Sequence, residues 1–160
     1  MQKIRQATAA DLLILPASSF IGTLAVAGNP ATVNGVAVPL ADKWVLTPQE
    51  QAEIKTAIDG YNAIIKAAAT SKGLAFFDAN LYMQQLATTG ITDGKFTVSS
   101  RLVTGGVFSL DGVHPNPRGY ALLSNLMMKT LDATYGSNFQ ASGNLLNIGN
   151  YPTNFSPALQ

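Results

Sequence analysis

The chain has 160 residues, enough for one domain with a core of its own. Hydrophobic residues make up 47% and charged residues 12%, which excludes a disordered or solvated linker protein. A net charge of +1 on scattered basic residues excludes a nucleic-acid-binding stripe, and the lack of cysteine excludes disulfides, thiol catalysis and thiolate metal sites.

Met1 to Arg5 is basic, and the apolar stretch Leu12 to Ala27 ends in Ala25-Val26-Ala27, which imitates a signal-peptide cleavage site. Asp11 abuts that stretch, and Pro16 with Ser18-Ser19 interrupts it. The pattern therefore predicts a buried strand over Leu12 to Leu15 followed by a loop. Pro16, Asn29 and Pro30 break the longest apolar candidate, so no membrane span is expected. Val33-Asn34-Gly35-Val36 carries an Asn-Gly turn signal and predicts a small hairpin.

Thr47-Pro48-Gln49-Glu50 predicts a helix start with a capping box. Ile54, Ala57, Ile58, Tyr61, Ile64, Ile65 and Ala68 then recur at helical spacing, with Lys55, Asp59, Asn62 and Lys66 on another side, and the helix should end near Lys72-Gly73. Leu74 to Asp78 reads as a second buried strand. That order predicts a strand–helix–strand unit with Leu12–Leu15 and Leu74–Asp78 as neighbouring parallel strands. A short helix is expected over Asn80 to Leu86, then a polar stretch from Thr88 to Gly106 with a hairpin-like segment at Asp93-Gly94. Asn116-Pro117 predicts the start of a last helix with Leu122, Leu123, Leu126, Met127 and Leu131 as its apolar stripe. It should end near Tyr135-Gly136. The uncharged, Asn/Ser/Gly-rich remainder predicts an irregular tail, so the expected division is a domain over 1–136 and a tail over 137–160.

One segment carries chemistry. Phe108-Ser109-Leu110-Asp111-Gly112-Val113-His114-Pro115-Asn116-Pro117 contains the sole histidine, with an aspartate three residues before it. Gly112 lets the turn fold the carboxylate back toward the imidazole, and Pro115 keeps His114 out of the following helix. The expected arrangement is Asp111 bonded to His114 Nδ1, leaving Nε2 free as a base. Ser18 and Ser19, after the first apolar run, are the alternative nucleophiles to test. A metal site is discounted, because one histidine and scattered carboxylates do not make a ligand set. No cofactor is expected.

Asp-x-x-His-Pro before an amphipathic helix resembles the C-terminal catalytic block of the SGNH hydrolases, the GDSL-type lipases and esterases. Leu46 to Glu50, Tyr61 to Ile65, Ala75 to Asp78 and Phe108 to Tyr120 are similar to sequential landmarks of that family's C-terminal half. The resemblance implies a three-layer α/β/α sandwich around a parallel sheet, with Asp111 and His114 as the acid and base of a triad. It also implies ester substrates and an exported bacterial protein. The family's Gly-Asp-Ser-Leu and Gly-x-Asn-Asp blocks have no counterpart in the chain. The expectation is thus a C-terminal portion with an incomplete sheet, inactive alone, that acts on an ester only when an N-terminal half completes it. Its exposed sheet would favour association with another copy. The rival expectation is a non-catalytic α/β remnant that binds a partner or dimerises.

Overall fold

The computed structural model describes residues 4–154. The chain divides into two compact units, Met1–Ile65 and Lys66–Gln160.

In the first unit, β1 (Leu12–Leu13) pairs antiparallel with β2 (Val45–Leu46), Leu12 opposite Leu46 and Leu13 opposite Val45. Between them lie a short helix, α1 (Ala17–Phe20), and a 3-10 turn over Asp42–Trp44. The Phe20 and Trp44 rings stack with centroids 4.7 Å apart. Asp11 is tied to Arg5 and accepts from the Thr8 backbone N–H at 2.7 Å, which pins the first turn. Asn34-Gly35 does turn the chain, but only isolated bridges form around it, Leu24 with Val33 and Asn34 with Val38, rather than a hairpin. Burial here is sparse. Ala17 and Asn34 are buried, whereas Leu12 through Leu15 are exposed.

The helix α2 (Pro48–Ser71) runs across the division. Its start is the expected capping box, since the Glu50 carboxylate accepts from the Thr47 N–H at 2.8 Å and from its hydroxyl at 2.7 Å.

The second unit holds a continuous core. α3 (Ala79–Thr88) is capped by Asp78, whose carboxylate accepts from Leu81 N–H. The hairpin expected at Asp93-Gly94 is present, as β3 (Ile91–Asp93) against β4 (Phe96–Val98). The last helix, α4 (Pro117–Tyr135), begins at an Asn116 cap and ends at Gly136 in the left-handed conformation. Leu122 and Leu126 of α4 meet Leu86, Val98, Val107 and Ile148 in one cluster. Ile148, in a 3-10 turn of the tail (Ile148–Asn150), is 1% exposed, so part of the tail belongs to the core. Asn125 ties hairpin and tail to α4. Its amide donates to Asp93 at 2.6 Å and to the Leu146 carbonyl at 2.8 Å, and accepts from Leu146 N–H at 2.7 Å.

The parallel-sheet architecture is corrected by this topology. The described residues contain two separate two-stranded antiparallel sheets, β1–β2 and β3–β4, and no parallel sheet. Leu74–Asp78 forms no strand and pairs with none, and Leu74 is exposed. An apolar run specifies that a segment prefers burial, but a strand exists only where a neighbour accepts its backbone hydrogen bonds. Leu12–Leu13 finds that neighbour in Val45–Leu46 and pairs in the opposite sense from the one expected. The three-layer sandwich falls with the sheet that would have been its middle layer. So does the exposed edge of an incomplete sheet as a surface for self-association.

Candidate functional site

The loop between Phe108 and Asn116 is closed at its base by backbone pairing. Phe108 bridges Pro115, Ser109 N–H donates to the His114 carbonyl at 2.8 Å, and Asn116 N–H donates to the Val107 carbonyl at 2.8 Å. The start of α4 sits tightly on this base. A Cβ added at Gly119 would lie 2.2 Å from the Val107 carbonyl oxygen, so only glycine permits that approach. The tip turns at Gly112, whose φ of +73° is a left-handed value that favours glycine.

This geometry brings the expected pair together. His114 Nδ1 lies 2.6 Å from Asp111 Oδ2. The other carboxylate oxygen accepts from the Ser109 hydroxyl at 2.7 Å and from the backbone N–H groups of Val113 and His114, each at 2.9 Å. These donors hold the Asp111 carboxyl well below the usual carboxylate range, the Ser109 hydroxyl most strongly, then Val113 N–H, then the His114 ring. An ionised carboxylate can only accept, so Nδ1 carries the hydrogen and the Nε2 lone pair of the neutral ring points elsewhere. Among the described residues Nε2 has no hydrogen-bond partner, and the His114 side chain is 72% exposed.

Sequence reasoning missed two neighbours of this loop. Ser109 orients the carboxylate from inside the same turn. Val103, at φ +69°, is a β-branched residue in a left-handed conformation, and the Leu102 side chain beside it would touch a Cβ placed at Gly112 at 3.5 Å. Ser109 stands two residues from Asp111, so its hydroxyl is legible within the turn itself, whereas Val103 has no signature in a single sequence because it depends on how one loop lies on another.

Ser18 and Ser19 belong to the first unit, and their hydroxyls donate to the carbonyls of Leu15 and Pro16 at 2.8 and 2.9 Å. They serve the local turn of α1 rather than acting as free nucleophiles. A depression of about 550 Å³ in the first unit is bordered by Leu13, Val36, Leu40 and Val45. Arg5, the cation among its lining residues, is paired with Asp11. Among the described residues no group of three or more His, Cys, Asp and Glu side chains is placed to hold a metal ion. No described helix is long and apolar enough to cross a membrane.

No protein-family model, no curated protein and no solved structure matches this chain. The antiparallel topology overturns the likeness to SGNH hydrolases. That fold needs a parallel sheet to carry its catalytic loops, and two isolated ribbons cannot supply it. The reading as the C-terminal part of a GDSL-type esterase or lipase goes with it. The rival remnant of such a domain has no parent fold to descend from. What persists is the local geometry of Asp111 and His114, which rests on one tight loop and not on the surrounding architecture.

Proposed function

We propose that Asp111 and His114 form a proton-transfer pair, with His114 Nε2 as the general base and Asp111 as the group that orients it and stabilises its charged form. The observation that carries this reading is the 2.6 Å contact between Nδ1 and Oδ2, made while Nε2 stays unbonded and open to solvent. Because no described side chain meets Nε2, the proton comes from water or from a hydroxyl that a ligand brings. Leu110 and Val113 flank the pair and are both exposed, which favours a ligand with an apolar body next to that hydroxyl.

The reading is tested with a probe that reports proton abstraction alone. Base-promoted ring opening of a nitrobenzisoxazole needs only a positioned base. The wild-type chain should promote it, His114→Ala should fall to the background rate, and Asp111→Asn should fall several-fold. In parallel, ¹⁵N spectra of the single imidazole should show the Nδ1–H tautomer in the wild type and a mixture in Asp111→Asn. A wild-type rate equal to that of His114→Ala, or a tautomer unaffected by Asp111→Asn, would overturn the proposal.

A further inference from the structure

Helix α2 is 24 residues long, and residues 52–61 are exposed on every side. A helix gains most of its stability by packing one face, and solvated helices are marginal, more so with a glycine such as Gly60 in the middle. Its apolar residues are nevertheless ordered. Ile54, Ile58, Tyr61, Ile65 and Ala68 follow one another at spacings of four, three, four and three, and all five are exposed. That is the spacing of a helix-pairing seam, in which each side chain inserts between residues of a facing helix. Ile64, beside the seam, is also exposed and widens it.

We propose that α2 pairs with α2 of a second copy of this chain, antiparallel, about a two-fold axis at Tyr61. Three features select this partner. Under that axis Ile54 faces Ala68, Ile58 faces the adjacent Ile64 and Ile65, and Tyr61 faces its own copy, so the seam is complementary to itself in size. The charge is also complementary. From Pro48 to Gly60 the chain carries Glu50, Glu53 and Asp59 against Lys55, while from Tyr61 to Lys72 it carries Lys66 and Lys72 and no carboxylate. An antiparallel pair sets the acidic half against the basic half and opposes the helix dipoles, whereas a parallel pair sets like against like. Area is sufficient as well. Ile54, Ile58, Tyr61, Ile64 and Ile65 offer roughly 100 Å² each, so the pair buries about 1,000 Å², the lower bound of a specific interface.

The absence of cysteine makes the test direct. Sedimentation of the full chain should give twice the chain mass at micromolar concentration. Ile58→Glu with Ile65→Glu should halve that mass, and Ala63→Glu, away from the seam, should leave it unchanged. Because the double variant can also disturb folding, oxidative trapping provides the second measurement. Tyr61→Cys should cross-link two copies, as should Ile54→Cys with Ala68→Cys, while Ile54→Cys alone should not, its two copies lying about 21 Å apart along the axis. A monomer that Tyr61→Cys fails to trap, an assembly larger than a dimer, or efficient cross-linking of Ile54→Cys alone would each overturn the proposal.

Discussion

The two units are built from similar residues and differ in what those residues bury. In the second unit, Leu86, Val98, Val107, Leu122, Leu126 and Ile148 come from two helices, a strand and two loops, and close on one another. In the first, two-residue strands leave Leu12 through Leu15 in contact with water, and aromatic stacking and local hydrogen bonds hold the turns. Apolar content alone therefore does not make a core. What makes one is a set of long elements whose inner faces converge, and α4 is the element that provides it.

The sharpest way to break this comparison is to remove a side chain at its centre. Leu122 is 1% exposed. Leu122→Ala leaves a cavity in a packed cluster and should lower stability by about 2–5 kcal/mol, read from urea unfolding. A loss under about 1 kcal/mol would mean that the cluster is loosely packed and that the contrast between the units is false.

Asn125 comes next. It is buried, and its amide satisfies Asp93 and both backbone groups of Leu146. Asn125→Ala should cost about 1–3 kcal/mol, because Leu146 loses both of its backbone partners. Amide exchange should rise at Leu146 and around Asp93 together. A rise at only one of them would show that hairpin and tail are held to α4 independently.

These two residues also mark what the sequence could convey. The stripe on α4 was legible from its spacing, yet Asn125 lies on the same inner face and is invisible to any pattern of apolar residues. Met127, which the spacing places in the stripe, is exposed. The caps at Thr47, Asp78 and Asn116, and the geometry of Asp111 with His114, depend on residues within three positions of each other. Such short-range chemistry can be read directly from a chain. Strand pairing cannot, because the partner of Leu12 lies at Leu46, and nothing local distinguishes it from Leu74. The parallel sheet failed for that reason, while the hydrogen bond between Asp111 and His114 is present without the fold inferred around it.

Acid should separate the units more gently. The Arg5 guanidinium, then Thr8 N–H, holds the Asp11 carboxyl below its usual range, and the Thr47 hydroxyl does the same for Glu50. In the second unit, Gln140 N–H and the Ser137 hydroxyl lower Asp132, and the Ser109 hydroxyl leads in lowering Asp111. Each group has a folded pKa below its unfolded one. Its stabilisation is therefore complete above the ordinary carboxylate range and is lost as pH falls through that range toward the folded value. The first unit has little buried apolar surface to fall back on. The protection factor of the Thr8 amide, which removes the slowing of intrinsic exchange in acid, should fall on acidification while Leu126 and Ala121, in the core of the second unit, stay protected. Simultaneous loss at all three sites would show that the two units melt as one.

The smallest effect expected is the counterpart of the first. Leu15 carries the same side chain as Leu122 but is 62% exposed. Truncating it removes little that the fold takes out of water and leaves no cavity, so Leu15→Ala should change stability by no more than about 0.5 kcal/mol. The substitution also tests the surface itself. If α2 pairs with a second copy and nothing covers Leu12–Leu15, the dimer mass of Leu15→Ala should equal that of the wild type. A loss above about 1.5 kcal/mol would place Leu15 under a cover that the chain by itself does not provide. If that loss grew with protein concentration, the cover would be another copy, because only an associating surface couples stability to concentration.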